Sequence, residues 1–446
     1  MERDELKRIC EKVLSLVRAP EAEVLVNASR SSLTRFANNQ IEQNVNDSGV
    51  SVSLRVIENR RVGRASCNML DDEALERMVR SAEEMTKFVP EDQEYLPLPE
   101  PQHYEKLDAF VEATAKATPK DRAESIGGFL KRARRQKVTA AGIVSTGDSA
   151  VALANNKGVF AYHRQTQADY SVTVMTDGSA GWARELGRDF SAIDFDGVSE
   201  RALRKALDSR NPKKVEPGEY DVVLEPAAVA DLAVFLSWLA FGALPFIEGR
   251  SYLSGKLGEK VFDEKLTIDD DVFHPLSGGM PFDFEGMPRK KVRLIEKGVA
   301  KAVVHSRKTA KKMNTESTGH GLPEPNSSGP LPLNLVIHPG ESSLEEMIAS
   351  TERGILVTQF HYTNTIDPMK MVLTGMTRNG TFFIKNGKVA YPIKNLRFTE
   401  SLVKAFSNIE TIGKTLHRAE GFFGGGPVVP AMKIKNFRFT SLSEST

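Results

Sequence analysis

Over the first seventeen residues, Leu6, Ile9, Cys10, Val13, Leu14 and Val17 recur at three- and four-residue intervals, with charged residues filling most positions between them. That period turns one apolar stripe toward a core and predicts a helix over Asp4 to Val17. Further on the period changes to two. From Val50 to Val56, the residues Val50, Val52, Leu54 and Val56 alternate with Ser51, Ser53 and Arg55, the pattern of a strand with one buried face. A second short strand, Val62 to Cys67, follows a polar turn at Asn59. Asp71 or Asp72 then stands where it caps a helix that turns Leu75, Met78, Val79, Ala82 and Met85 inward.

Pro90, Pro97, Pro99 and Pro101 interrupt any regular element and predict a linker, because each lacks an N–H and restricts the residue before it. Thr118-Pro119 opens a helix, with Thr as N-cap and Pro at its first position, that runs to about Gln136. A meander is expected next, with strands over Val138 to Thr146, Val151 to Ala154, Val159 to Arg164 and Tyr170 to Met175. Gly147-Asp148 and Asn155-Asn156-Lys157-Gly158 punctuate it. Ala37-Asn38-Asn39 and Ala154-Asn155-Asn156 echo one another, and a repeated hairpin and coincidence account for the echo equally well.

A helix near Val198 to Leu207, a second linker over Asn211 to Gly218 and a strand over Tyr220 to Leu224 lead into the apolar stretch Ala227 to Ala243. Hairpins follow: Val292 to Ile295 turns at Lys297-Gly298, and Thr381 to Lys385 turns at Asn386-Gly387 into Lys388 to Tyr391. The fold class expected is α/β (α+β). Its parts are an N-terminal helix-sheet-helix unit over 1–89, a linker and short helix over 90–117, a central helix plus β-meander over 118–210, and a C-terminal β-rich domain with one buried apolar helix over 218–446.

Composition narrows the function. In 446 residues, 60 Lys+Arg balance 59 Asp+Glu for a formal charge of +1, so no global field draws in nucleic acid or an anionic membrane. The N-terminal stretch lacks the unbroken apolar run of a secretory signal. Ala227 to Ala243 carries Asp231 and Ser237 and is shorter than the ~20 residues a bilayer needs, so it reads as a buried helix with Trp238 in the core. The two cysteines, Cys10 and Cys67, form no CxxC and fit a reducing compartment; a soluble, cytoplasmic protein is expected.

Motifs for common chemistries are missing: there is no GxxxxGK[ST], no GxSxG, no HExxH and no EF-hand spacing. Gly424-Gly425-Gly426 is followed by Pro427 and reads as a flexible bend. Asp269-Asp270-Asp271 reads as a solvated turn, since three consecutive carboxylates in an extended chain diverge. His305, His320, His338 and His361 lie on separate segments without ligand spacing. His320 stands in a polar, Gly-rich loop of the kind that borders clefts, and His320 and His361 are the candidates for lining a peptide cavity.

Thr34 to Gln43, Gly49 to Val56, Gly63 to Ser66, Tyr252 to Gly258, Pro281 to Gly286, Ser317 to His320, Pro332 to Leu335 and Phe383 to Ile393 follow one another in an order that resembles the TldD/PmbA metallopeptidase family over nearly the full chain. The resemblance implies a zinc peptidase in which an HExxxH helix and a late cysteine supply the ligands. Aligned on Ser254-Gly255, that motif falls near Val234, Phe235 and Leu239, none of which binds zinc, and no cysteine follows Cys67. The pattern is that of the family's TldE (PmbA) branch. It implies a chain with no catalytic or metal-binding residues of its own, paired with a zinc-bearing TldD-like subunit in a heterodimer, or with itself in a homodimer, around an extended peptide. The rival expectations are an autonomous hydrolase built on the four C-terminal histidines and a stand-alone homodimeric peptide-binding protein.

Overall fold

The computed structural model describes residues 1–420 and 426–443. Gly424 and Gly425 of the glycine run lie outside the described residues.

The chain begins with α1 (Arg3–Leu16), three strands β1 (Glu21–Ala37), β2 (Gln40–Glu58) and β3 (Arg61–Cys67), and α2 (Asp72–Met85). The side chain of Asp71 caps α2 by accepting from the Ala74 N–H. After the proline-rich segment come a short α3 (Glu112–Ala115) and α4 (Pro119–Arg135), where Thr118 and Asp121 form a reciprocal capping box. Then β4 (Thr139–Asn155), β5 (Phe160–Thr176), β6 (Ser179–Gly187) and α5 (Phe195–Asp208) repeat the first arrangement. The two sets join in one antiparallel sheet of order β3-β2-β1-β4-β5-β6.

This sheet explains the echoed tripeptides. Asn39, at the tip of the β1–β2 hairpin, donates to Val138 O and accepts from Ala140 N–H, both at 2.7 Å. Asn156, at the tip of β4–β5, donates to Pro20 O at 3.0 Å and accepts from Ala22 N–H at 3.1 Å. Each half of the sheet clamps the entry of the other with the same residue, so the echo marks a structural repeat of helix, long hairpin, strand and helix.

The repeat also corrects the expected meander. The stretches expected over Val138 to Thr146 and Val151 to Ala154 merge, from Thr139 on, into one seventeen-residue strand, β4, and those over Val159 to Arg164 and Tyr170 to Met175 merge, from Phe160 on, into another, β5. Gly147 does not turn the chain. A Cβ there would stand 2.8 Å from Arg30 O, so the glycine permits close approach of β1 within a continuous ladder, and Asp148 pairs with Arg30 across it. The long β1 carried no clean alternation and was not anticipated.

Helices α1, α2, α4 and α5 cover one face of this sheet. Leu6, Cys10 and Val13 of α1 and Leu75, Met78 and Val79 of α2 pack on Val24, Val26, Val52, Leu54 and Val56. Ile126 and Phe129 of α4 and Val198 and Ala202 of α5 pack on Val144, Tyr170, Val172 and Val174. Alternation then sends Leu25, Ser53, Arg55, Val151, Leu153, His163, Gln165 and Arg184 to the opposite face, which docks on the rest of the chain. Leu153, Val159 and Ala161 meet Phe282 there.

The remainder contains β7 (Gly218–Leu224), α6 (Pro226–Ala240), β8 (Ile268–Asp270), β9 (Val292–Glu296), β10 (Val299–Ala300), β11 (Leu335–Ile337), β12 (Arg353–Asp367), β13 (Val372–Lys385), β14 (Lys388–Pro392), β15 (Leu396–Ser401), β16 (Ile409–Ile412), β17 (His417–Arg418), β18 (Val428–Val429) and β19 (Met432–Leu442). Among the described residues one sheet runs β10-β9-β8-β11-β18-β17. In the other, β12-β7-β19-β15-β13 closes on itself through a β12–β13 pairing. Phe360, Phe398 and Phe437 fill that ring, with centroids 4.6 to 5.9 Å apart, so it is a packed core rather than a channel.

Two further expectations are overturned. Asp269, Asp270 and Asp271 form no solvated turn: Asp269 and Asp270 are fully buried on β8. Burial is tolerated because Asp269 is held by Arg293, Lys291 and His338, and Asp270 by His320 and the Asn334 N–H. Trp238 is 41% exposed rather than core; a helix apolar all round has no stripe to say which position faces outward. Its ring stands edge-on to Phe235.

Candidate functional site

Two linkers and a strand bring α6 to the junction of the sheets. Pro226 starts it and Glu225 precedes it, paired with Lys205 of α5 at 2.5 Å. At the zinc positions implied by the resemblance, Val234 and Phe235 are buried and Leu239 is half-buried. These side chains offer no lone pair to a cation. Among the described residues no group of three or more His, Cys, Asp or Glu is arranged to hold a metal ion, so the zinc that the resemblance implies does not fit the side chains present.

Nor do the four histidines converge. His320 is fully buried inside the C-terminal part, its Nε2 2.8 Å from Asp270 Oδ1 and its Nδ1 2.9 Å from both the hydroxyl and the carbonyl oxygen of Thr318. Burial lowers its pKa despite Asp270. His338 binds Asp269, while His305 is buried beside the Thr318 loop. His361 on β12 faces Arg378 at 2.9 Å. It borders a hollow of about 220 Å³ together with Trp182, Arg184, Asp231 and Glu420. Of the two cavity candidates, His361 therefore stands on a cleft wall and His320 in the interior.

The cleft itself lies between the docking face of the first sheet and the C-terminal part. A cavity of about 420 Å³ is lined by Val151, His163, Gln165, Arg289, Asn334 and Arg418, among others. A second, of about 450 Å³, continues along Trp182, Arg184 and Leu186 to Ala227 at the start of α6. The two share Leu186, Arg418 and Glu420. Trp182, Arg184 and Leu186 face it together because they alternate on β6, while Gly181 and Ala183 turn toward α5.

Charge in this cleft is organised around Arg184. It grips Asp169 through two parallel bonds of 2.8 and 2.9 Å and reaches Glu420 at 2.5 Å. Burial works against its charge, yet these carboxylates raise its pKa further. On the same sheet face, burial and then Arg188 hold His163 down to about 4. Burial likewise lowers the pKa of Arg418.

A separate hollow of about 270 Å³ on the other side of Phe284 holds Glu23, Arg55, Arg64 and Glu324. Glu23 pairs with Arg55 at 2.9 Å, and Arg64 with Glu324 at 3.2 Å, tying the first sheet to the C-terminal loops. Behind it, burial and then Glu285 push the Asp283 carboxyl up to about 7, against three backbone N–H donors.

Arg184, Arg289, Arg418, Glu420 and His163 escaped the sequence reading. They come from four distant segments with no shared motif. The one local signal was Gly278-Gly279, where a Cβ on Gly278 would stand 2.4 Å from Arg418 Nη2, and a Gly pair in an irregular segment marks such close approach.

Residues 22–86, 96–210 and 217–441 match, in that order, the descriptions of the PmbA/TldA metallopeptidase domain 1, central domain and C-terminal domain. The chain is 23% identical to Metalloprotease MJ0996 of Methanocaldococcus jannaschii, over 94% of this chain and 96% of that one. It is 23% identical to Metalloprotease PmbA of Escherichia coli O157:H7, over 93% and 92%. The crystal structure of TldE from Thermococcus kodakarensis superposes with a TM-score of 0.87 at 25% identity, covering 98% of this chain and 99% of that one.

Proposed function

The chain belongs to the PmbA/TldD metallopeptidase family, and from that premise we propose that it is the family's non-catalytic, TldE-like subunit, which holds an extended peptide for a zinc-bearing TldD-like partner. The observation that carries this reading is the hydrocarbon character of Val234, Phe235 and Leu239 on α6. A zinc-activated water needs the ion's charge to bring its pKa near neutrality, and these positions cannot fix that ion. The partner supplies the zinc and the glutamate base; this chain supplies walls.

Those walls suit an extended chain. β6 is an edge strand of its sheet, and its backbone together with the Trp182 and Leu186 side chains offers the mixed polar and apolar lining by which β-strand additions are held. Isolated free cysteines, Cys10 and Cys67, suit a cytoplasmic location, and no helix among the described residues is long and apolar enough to cross a membrane. The test is zinc content and hydrolysis of an unstructured peptide by the chain alone and with an HExxxH-bearing partner. The reading expects a metal-free, inert chain and an active, chelator-sensitive pair. A pair no more active than the partner alone would overturn it.

A further inference from the structure

The cavity of about 420 Å³ is bordered by polar groups whose hydrogen bonds are unmade. Arg289 is 6% exposed, and among the described residues neither its Nε nor its Nη1 has a hydrogen-bond partner. Nη1 stands 3.6 Å from Asp270 Oδ1, beyond hydrogen-bond reach. Both Asp270 oxygens are already engaged, by His320 Nε2 and the Asn334 N–H. On another wall, the Nε of Arg418 is buried without a partner among the described residues, its guanidinium lying against Gly278. His163, also 6% exposed, has an unpartnered Nε2. All three side chains line one cavity.

Buried donors without acceptors are costly, the more so on charged groups. The lining carries two guanidiniums, Arg289 and Arg418, against one carboxylate, Glu420, which Arg184 already holds. With Glu420 engaged by Arg184 and the Asp270 oxygens by His320 and Asn334, both guanidiniums keep donors to offer a carboxylate.

We propose that this cavity binds one carboxylate of the held peptide, with Arg289 and Arg418 donating to its oxygens. The inference rests on the peptide-holding reading above and goes beyond it by giving that reading a charge preference. A neutral His163 adds no further cation to the lining. The carboxylate comes from the peptide's C-terminus or from an acidic side chain, and the two sources separate by experiment.

Affinity of the full chain is measured for three versions of one unstructured, fluorescently labelled peptide: free acid with no Asp or Glu, the same peptide amidated at its C-terminus, and the amidated peptide with one internal Glu. At least one carboxylate-bearing version binds about ten-fold or more tighter than the neutral amide, as expected for charge-assisted bonds. Which one does so names the source. In Arg289→Gln and Arg418→Gln the preference for the carboxylate-bearing version over the amide collapses toward unity. Equal affinity of the wild type for all three versions, or a preference that survives both substitutions, would overturn the carboxylate site and leave the peptide-holding reading intact. No binding of any version would remove both. The wild-type comparison decides the matter even where a variant fails to fold.

Discussion

Arg184 gives the sharpest energetic prediction. Its side chain is 22% exposed, Asp169 5% and Glu420 27%. In Arg184→Gln both Asp169 oxygens lose their guanidinium donors while the carboxylate stays buried, and removing one partner of such a pair costs about 3–5 kcal/mol. Glu420 is free enough to turn to water and adds less than about 1 kcal/mol. Replacing both buried partners, Asp169→Asn with Arg184→Gln, leaves two neutral amides and recovers most of the loss, to within about 1–2 kcal/mol of the parent. The two tryptophans of the chain make the assay local: Trp182 is two residues from Arg184 and donates to Ser171 Oγ at 3.1 Å. In a Trp238→Phe background its fluorescence through urea unfolding reports the transition around the cleft. A single variant within 0.5 kcal/mol of the parent, on the order of surface-site noise, would refute the reasoning, as would a double variant no better than the single one.

The clamp residues predict an asymmetry. Asn39→Ala loses two bonds of 2.7 Å and places alanine at φ +62°, whereas Asn156→Ala loses two longer bonds at an exposed tip without a positive φ. Urea titration is expected to show about 2–4 kcal/mol for the first and about 1–2 for the second, and the reverse order would contradict the clamp geometry. Gly278→Ala pushes a methyl to within 2.4 Å of Arg418 Nη2; the guanidinium swings aside, so peptide-acid affinity falls while stability changes by less than about 1 kcal/mol. His163 shapes the acid limb. Its folded pKa of about 4 lies below its ordinary value, so the unfolded chain takes the proton first as pH falls. Stability from this group is complete above about 6.5, declines between there and 4, and is level below. The difference profile of wild type against His163→Gln should span up to about 3 kcal/mol over that window, and a flat difference would show that His163 is not buried.

Local signals in the sequence led to local elements. The capping residues Asp71 and Thr118, the Asn386-Gly387 turn and the apolar run of α6 were each legible because the physics that sets them spans a few residues. Gly147 misled for the same reason: glycine in a polar stretch reads as a turn unless the neighbouring strand that crowds it is known, and β1 lies more than a hundred residues away. The triple aspartate misled because its solvation is replaced by Arg293, Lys291, His338, His320 and Asn334, partners that no spacing rule connects. The resemblance reached the family and its zinc positions, yet it could not find the cleft, whose charged residues meet only when β5, β6, the Gly278 segment and β17 come together.

The central claim is that this chain contributes binding and not the metal. It is tested most directly by measuring zinc and peptidase activity of the purified chain, alone and after addition of an HExxxH-bearing partner, with a chelator control. The account predicts a lone chain free of zinc and inert, and a pair that cleaves an unstructured peptide faster than the partner does and stops with chelator. Stoichiometric zinc and cleavage by the lone chain would contradict it.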